Sequence, residues 1–372
     1  MRTIFVLAGI TLLAVILVLV PCLIRAGEVP ATSNYSLLSP IRSGNLTIFP
    51  VVANRAFDTS QFITLEEGVR SGDVVITEAG QAQGLIRRRH GGTNVIHPVR
   101  DAQVNSLVLV NNSRRPLLLL AGEIVTGGKQ DRVIGKDRIV PAESDPIDLG
   151  VFCVEPGRWV AAGDKYEFSS TRNGVALFAA PTVRSKAMAA KDQQDVWNEV
   201  RNSQRAMAET VEVTGGAAAV PSINGTSSYA RVMENKDVQT RIERVAEPME
   251  RDYQSVIHQL RDKNAVGVVV AVNGDVVWAD LFASTQLLQK YWPKLVRSYA
   301  TEAVITRAKS AEVTSRQAQK FLDDLQGRHE TADTEPGVYR QTEITGDGFK
   351  VFELISLLPK TGFPMHVAKM AD

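Results

Sequence analysis

The chain has 372 residues, of which 44% are hydrophobic, 22% charged and 6% aromatic. These values are ordinary for a globular protein of two or three domains, and they disfavour both wholesale disorder and a polytopic membrane protein. Lysine and arginine total 42 against 41 acidic residues, a net charge of +1. Because binding to a nucleic-acid backbone needs a basic surface, this balance disfavours nucleic acid as a partner. Two cysteines exclude a disulfide framework.

Residues 1–26 have the pattern of an export signal. Arg2 precedes an uncharged apolar run over residues 4–24, which as a helix would be roughly 31 Å long, about the thickness of a bilayer core. The arginine is expected to stay on the cytoplasmic side, so the rest of the chain is predicted to be extracytoplasmic. A cleaved signal peptide and an uncleaved anchor in the cytoplasmic membrane both fit this pattern.

The first half of the exported part is predicted to be rich in β-strands. Residues 27–44 are polar, contain two prolines and are predicted to be a linker. Over residues 45–180, short apolar runs are separated by glycine, asparagine, aspartate and proline. This pattern indicates a sandwich-like or barrel-like module.

The second half is predicted to mix helices and strands. Residues 181–262 have helical periodicity, interrupted at 214–228 by small residues that predict a mobile loop. Residues 263–372 are predicted to be an α+β part. Its clearest feature is a β-hairpin at Asn273–Gly274, because both residues tolerate the positive φ of a two-residue turn. Ser284 is then predicted to cap a helix. The fold class is therefore predicted to be α+β.

A glycine pair predicts a hairpin that would bring polar side chains together. Gly127 and Gly128 are expected to form a two-residue turn, which glycines permit. Because side chains alternate along a strand, this turn would place Glu123, Gln130 and Arg132 on one face. Glu123 and Arg132 would then be direct cross-strand neighbours.

A second strand and the turn after it are predicted to complete a ligand pocket. Cys153 and Glu155 would share a face, and the turn would present Arg158 and Trp159. Guanidinium groups suit phosphate or carboxylate, glutamates can hold sugar hydroxyls or act as a base, and tryptophan can stack on a ring. The candidate ligand-binding residues are Glu123, Gly127, Gly128, Gln130, Arg132, Cys153, Glu155, Arg158 and Trp159.

These residues also have structural interpretations. Glu123 and Arg132 could equally form an ion pair that stabilises a hairpin. Cys153 fits a buried packing residue better than a nucleophile, because no base lies near it in the sequence. If residues 1–26 are removed, Cys153 is the single remaining thiol. Trp159 also fits a packing role.

No cofactor or metal site is predicted. His90 and His97 lack flanking metal ligands, and the basic run at 87–89 fits a solvated loop. His366 lies near the end of the chain and has no predicted role. The HExxH, GxSxG, GxGxxG and Walker A patterns are absent, which disfavours the common hydrolase, nucleotidase and dehydrogenase functions.

Several motifs together are similar to those of one bacterial family. They are Ala121-Gly122-Glu123, Gly127-Gly128-Lys129-Gln130-Asp131-Arg132, Val140-Pro141, Phe152-Cys153-Val154-Glu155 and Gly157-Arg158-Trp159. The hairpin at Asn273–Gly274, with Trp278 and the helix after Ser284, is similar as well. The family is the domain named for its association with ADP-ribosylglycohydrolase and rhodanese-phosphatase proteins, ARPP, and the resemblance covers residues 45–310. It implies a link to NAD-derived or ADP-ribose-type metabolites, by association.

Two functions are consistent with these patterns. The first is an exported or membrane-tethered protein that binds, and in one version acts on, a small anionic ligand such as a sugar phosphate or an ADP-ribose-like metabolite. The second is a non-enzymatic structural or interaction protein of the cell envelope, which the N-terminal segment, the long helices and the missing catalytic motifs support. The membrane would be contacted through residues 4–24 if they are not cleaved.

Overall fold

The structure, a computed structural model, describes residues 35–79, 105–158, 168–172, 175–260, 263–309, 311–324 and 327–372. The helices are α1 (Leu65–Ser71), α2 (Pro181–Ser185), α3 (Gln193–Val213), α4 (Val220–Asn224), α5 (Tyr229–Glu234), α6 (Lys236–His258), α7 (Thr285–Ile305) and α8 (Ser315–Asp323), with a π-helix at Lys186–Ala190 and a 3₁₀-helix at Ala217–Ala219. The predicted export signal (1–26), the basic run 87–89, His90, His97 and Trp159 lie outside the described residues.

The strands occupy both halves of the chain. They are β1 (Tyr35–Leu37), β2 (Ile41–Ser43), β3 (Leu46–Ala53), β4 (Ile63–Thr64), β5 (Val74–Glu78), β6 (Ser106–Asn111), β7 (Leu117–Leu119), β8 (Ile124–Gly127), β9 (Arg132–Ile134), β10 (Arg138–Val140), β11 (Ile147–Cys153), β12 (Phe168–Ser169), β13 (Thr171–Arg172), β14 (Val175–Ala176), β15 (Asn264–Val272), β16 (Asp275–Phe282), β17 (Arg328–Glu335), β18 (Tyr339–Thr345), β19 (Phe349–Ser356) and β20 (Pro364–Ala371). The predicted α+β class is confirmed.

A nine-stranded antiparallel sheet forms the centre of the protein. Its order is β1-β3-β15-β16-β20-β19-β18-β17, and β2 also pairs with β3. All eight residues of β3 are buried, because helices α6 and α7 pack on one face of the sheet and α8 packs on the other. Strands covered on both faces are nearly continuous apolar runs, as β15 is in the sequence.

The β-rich part from residue 63 to 176 forms smaller sheets. The order β12-β8-β9-β11-β6-β5 makes a six-stranded sheet, and β10-β7-β4 makes a three-stranded one. Apolar side chains of both sheets share one core, with Leu117 and Val140 from the smaller sheet against Leu109 and Val125 from the larger. This arrangement agrees with the predicted sandwich-like or barrel-like module.

The structure differs from the sequence-based description in three segments of the chain. Residues 35–43 of the predicted linker 27–44 contribute β1 and β2, whose backbone groups pair with β3. The first strand of the predicted module 45–180, β3, lies between β1 and β15 in the large sheet and so pairs with strands outside the module. The predicted mobile loop 214–228 contains the 3₁₀-helix and α4, which place Ile223 in the core.

The predicted hairpin at the end of β15 is confirmed. Val272 pairs with Asp275, and the two turn residues have positive φ, 55° at Asn273 and 86° at Gly274. The Asn273 side chain also accepts a hydrogen bond from the backbone of Lys309 at 2.8 Å and donates one to the carbonyl of Arg307 at 2.9 Å. The turn therefore anchors the chain that follows α7.

The predicted cap of α7 is also confirmed. The Ser284 hydroxyl accepts a hydrogen bond from the backbone of Leu287 at 3.0 Å, at the first turn of the helix.

Within the described parts of the chain, no helix has both the length and the apolar character that a membrane span needs.

Replacing Gly274 with alanine is expected to destabilise the protein more than replacing Gly337, another glycine with positive φ. A Cβ at Gly274 would lie 2.9 Å from the Cβ of Ala311, whereas at Gly337, which has φ +76°, it would meet no atom of the described residues within 4 Å. Gly337→Ala should therefore cost about 1–2 kcal/mol of unfolding free energy through backbone strain alone. Gly274→Ala should cost more in urea denaturation, and equal losses would contradict the close contact.

Candidate functional site

The glycine turn between β8 and β9 is longer than predicted. Val125 pairs with Arg132 and Ile124 with Val133, so four residues, 128–131, connect the strands instead of two. The carboxylate of Asp131 accepts a hydrogen bond from the backbone of Gly127 at 3.1 Å, which closes the wider turn. The predicted register is therefore wrong by two residues.

Glu123 consequently lies in a different place from the other predicted residues. Its carboxylate is 2.6 Å from the ammonium group of Lys294 on α7 and accepts a hydrogen bond from the backbone of Leu120 at 2.7 Å. Glu123 is 2% exposed, and burial raises the pKa of its carboxyl although Lys294 opposes this shift. The predicted Glu123–Arg132 pairing is wrong, and Glu123 is a buried ion-pair residue.

The other predicted residues within the described chain do come together. We call them, with two neighbours that the sequence did not single out, the glycine-loop cluster: Glu78, Gln130, Asp131, Arg132, Cys153, Glu155 and Arg158. Cys153 pairs directly with Arg132 across β11 and β9. Glu78, at the end of β5, accepts a hydrogen bond from the backbone of Lys129 at 2.7 Å. The cluster therefore joins the glycine turn to two neighbouring strands.

Ion pairs hold the exposed edge of the glycine-loop cluster. The Arg158 guanidinium is 2.6 Å from the carboxylate of Glu155 and 3.6 Å from that of Asp131. It also donates to the carbonyl of Gly128 at 3.1 Å. The second oxygen of Asp131 accepts a hydrogen bond from the Ser228 hydroxyl at 2.7 Å. The Arg158 side chain is 16% exposed, so it is the member that reaches solvent.

The inner members are sealed from solvent. Arg132 and Cys153 are both 0% exposed. Burial lowers the pKa of the Arg132 guanidinium, and burial raises the pKa of the Cys153 thiol even though Arg132 lies beside it. Cys153 is therefore a neutral thiol near pH 7, as expected of a packing residue rather than a nucleophile.

Gly128 is required by the close approach of its neighbours. Its φ is +47°, and a Cβ there would lie 2.3 Å from the ring of Phe168 and 2.7 Å from the carboxylate of Glu78. Phe168, on β12, pairs with Gly127. The glycines therefore let β12 and β5 close over the turn, which is a packing role in addition to the predicted turn role.

Two buried acceptor atoms in the cluster have no donor among the described residues. Glu78 Oε2 and Gln130 Oε1 accept no hydrogen bond from the part of the chain that the structure describes. Both residues are buried, and the other polar group of each is used: Glu78 Oε1 by Lys129, and the Gln130 amide nitrogen by the carbonyl of Glu155 at 3.1 Å. Unsatisfied buried acceptors are costly, so they mark a position where a donor is expected.

A second polar group, which the sequence did not predict, is entirely buried. We call it the charged core network: Asp137, Arg184, Asp280, Tyr299 and His366. All five residues are 0% exposed. They come from the β9–β10 connection, α2, β16, α7 and β20 respectively, so five separated elements meet at one point.

Two opposing pairs of charges make up the charged core network. Arg184 donates to both carboxylate oxygens of Asp280, at 2.9 and 3.1 Å. The ring of His366 lies between two carboxylates, 2.5 Å from Asp137 and 3.1 Å from Asp280. Tyr299 donates to Asp280 as well. Two cations therefore balance two anions out of contact with water.

The surroundings fix the protonation of this network. Burial alone would lower the pKa of His366, but Asp137 and Asp280 outweigh it and raise the pKa to about 9. Burial would raise the pKa of Asp280, but Arg184 and His366 hold it well below its ordinary value. Arg184, Asp280 and His366 are thus ionised at neutral pH, whereas burial raises the pKa of the Tyr299 hydroxyl further and keeps it neutral.

The charged core network also organises the motif Ala121-Gly122-Glu123. The backbone of Ala121 donates to Asp137 at 2.8 Å, and its carbonyl accepts from Arg184 at 3.2 Å. A Cβ at Gly122, where φ is +99°, would lie 2.6 Å from the Arg184 side chain. The guanidinium also lies over the ring of Trp278, 4.4 Å from its centre. One sequence signal of this network exists: Asp280 is a charged residue within the apolar stretch 276–282 of β16.

In the described ranges, no three histidine, cysteine or acidic side chains are grouped so that they could hold a metal ion.

The fold and these two clusters define an α+β protein whose β-rich part carries a glycine turn and whose core carries buried charges. Over residues 34–366 the chain matches the family model described as the ARG and Rhodanese-Phosphatase-superfamily-associated Protein domain. The chain belongs to this family, as its motifs predicted, and the match extends beyond the predicted 45–310 on both sides.

The remaining comparisons found no curated protein and no solved structure that matches the chain.

The ionised His366 is expected to make the protein less stable in alkali. Because the folded-state pKa is raised from 6.5 to about 9, the stabilisation is fully present below pH 6.5 and is lost as the pH rises through 9. Its size is about 3 kcal/mol. Urea denaturation between pH 6 and 10 should show this loss, and His366→Gln should be less stable at pH 6 and lack that part of the pH dependence.

His258→Gln is the matched control, because His258 is exposed near the end of α6. It should keep the alkaline loss of the parent protein. An unchanged pH profile in His366→Gln would show that the imidazole is neutral in the folded protein.

Proposed function

We propose that the protein binds a small hydroxylated anion, such as a sugar phosphate or an ADP-ribose-like metabolite, at the glycine-loop cluster. The observation that carries the proposal is the pair of buried acceptors without donors, Glu78 Oε2 and Gln130 Oε1, among the residues described. Hydroxyl groups of a sugar are donors of the kind that would satisfy them. The family's association with ADP-ribosylglycohydrolase supports the same ligand class, by analogy.

Arg158 is the group proposed to receive the anionic part of the ligand. It is partly exposed, while Arg132 is sealed beneath it. Glu155 and Asp131 hold its guanidinium in place, so binding a phosphate would mean exchanging or sharing one of these contacts. Such an exchange keeps the guanidinium paired in both states, which avoids the cost of an unpaired charge.

The local charge limits how strongly an anion would bind. In the glycine-loop cluster the carboxylates of Glu78, Asp131 and Glu155 face the two guanidinium groups of Arg132 and Arg158. Because the acids outnumber the arginines, most of the binding energy is expected to come from the hydroxyl contacts and a smaller part from the phosphate. The proposal therefore requires a ligand with both kinds of group.

Thermal unfolding with and without ligands tests this proposal. ADP-ribose and simple sugar phosphates should stabilise the protein, by about 2.7 kcal/mol at a ligand concentration 100 times Kd. The corresponding unphosphorylated sugars should stabilise it less. Arg158→Gln should reduce the effect of the phosphorylated ligands about tenfold in Kd, because it removes a charge-assisted contact.

Arg138→Gln provides the matched control. Arg138 is 15% exposed and its guanidinium lies 3.2 Å from the carboxylate of Glu335, so it matches Arg158 in burial and in having a carboxylate partner. Ligand stabilisation should be unchanged in this variant. The absence of stabilisation by every ligand, or equal effects of the two substitutions, would contradict the proposed site.

A second function has its own support. Most polar groups of the glycine-loop cluster already bond to each other, and Asp131, Arg132 and Glu155 are 0 to 3% exposed. This degree of internal satisfaction is typical of a structural network, and it favours a non-enzymatic structural or interaction protein of the envelope. The ligand titration above separates the two functions.

The location is proposed to be extracytoplasmic. The support is the uncharged run at residues 4–24 after Arg2, which fits either a signal peptide or a membrane anchor. In the native host, mass spectrometry should find an N-terminus close to residue 27 in a released form, or the intact N-terminus in the membrane fraction. Recovery of the intact chain in the cytosol would contradict the proposal.

A further inference from the structure

One cavity lies away from both clusters. It has a volume of about 630 Å³ and opens where the C-terminal ends of α3 and α7 meet α6. A volume of this size is within the range of small-molecule sites. Its wall includes the apolar side chains of Val213, Val245, Val304 and Ile305, and Val213 is 82% exposed.

The polar part of this cavity is mainly cationic. Arg241, Arg244 and Arg307 line it, together with Glu209 as an acidic side chain. The helix ends would by themselves favour cations, since a helix C-terminus carries partial negative charge. Whether the cavity attracts anions or cations therefore depends on whether the carbonyls at the helix ends already accept hydrogen bonds.

Internal donors already satisfy those carbonyls. At the end of α3, Arg241 donates to the carbonyls of Val211 and Thr214, both at 3.2 Å. At the end of α7, the Asn45 amide donates to the carbonyls of Ala303 and Thr306, at 3.1 and 3.3 Å. The negative helix ends are therefore already paired with donors.

Arg244 and Arg307 remain as the cations that are not engaged. Their side chains form no hydrogen bond or ion pair with any residue in the described parts of the chain, and both are exposed at the cavity. An exposed arginine is ordinary on its own. Two of them beside an exposed apolar wall in one concavity are complementary to a ligand with an anionic head and an apolar body.

We propose that this cavity binds a small amphipathic anion, a phosphate monoester or carboxylate with a short alkyl chain. Arg244 and Arg307 would hold the anionic head, and Val213 with Ile305 would cover the alkyl chain. The site is separate from the glycine-loop cluster, so it is independent of the function proposed above.

Calorimetric titration at low ionic strength tests the site. Octyl phosphate and octanoate should bind, whereas inorganic phosphate and octanol should bind much more weakly, because each lacks one half of the recognised chemistry. The double variant Arg244→Gln/Arg307→Gln should weaken octyl phosphate by about tenfold or more. Val213→Ser should weaken octyl phosphate without changing inorganic phosphate.

Two control variants keep the result specific. Arg251 lies on the same helix as Arg244, α6, and its side chain is 75% exposed and pairs with Asp252. Arg251→Gln should leave octyl phosphate binding unchanged. Arg158→Gln should also leave it unchanged, so failure here and failure of the glycine-loop site are distinguishable.

The outcomes that would overturn the proposal are distinct. They are no binding of either octyl anion, equal binding of inorganic phosphate, or a double variant that binds like the parent protein. Vesicles of anionic phospholipid distinguish a membrane source for the same head group. If the protein sediments with such vesicles, loses that binding in the Arg244→Gln/Arg307→Gln variant and fails to bind soluble octyl phosphate, the surface is assigned to a lipid bilayer. That result would overturn the small-molecule site.

Discussion

The structure depends most on the pairing of four charges that water does not reach. Arg184 and His366 supply two positive charges, and Asp137 and Asp280 supply two negative ones, all at 0% exposure. Removing these groups from water costs several kcal/mol each, and only mutual pairing offsets that cost. The arrangement is therefore all or none: losing one partner leaves the others buried and unpaired. This requirement fixes how β16, β20, α2 and the β9–β10 connection meet.

The same constraint reaches the segment that contains the proposed ligand site. Ala121 bonds to Asp137 and Arg184, and Gly122 allows Arg184 to pass close to the backbone. β8 begins two residues later, at Ile124, and leads into the glycine turn. Because β8 is short, its start and its turn move together. The buried charges thus fix the chain just before β8, the strand that leads into the glycine turn.

Local features of this fold could be predicted from the sequence, and contacts between distant residues could not. Asn273–Gly274 and Ser284 were predictable because a turn and a helix cap depend on neighbouring residues. The register at Gly127–Gly128 was not, because the Asp131 side chain accepts a hydrogen bond from the Gly127 backbone and closes a turn of four residues instead of two. Local strand geometry pairs Glu123 with Arg132, whereas its partner in the structure, Lys294, is distant in sequence. The sequence predicts no role for His366 because its partners, Asp137 and Asp280, are also distant in sequence.

Local charge separates the two proposed sites by the kind of ligand that each can accept. In the glycine-loop cluster, carboxylates already occupy the guanidinium groups, so a ligand gains mainly by satisfying the acceptors of Glu78 and Gln130. In the cavity beside α3 and α7, the carbonyls are occupied instead, and Arg244 and Arg307 are available to an anion. Electrostatic attraction falls with salt, while satisfaction of buried acceptors depends on it much less. The first proposed site is therefore expected to select ligands through hydroxyl groups, and the second through charge combined with apolar contact.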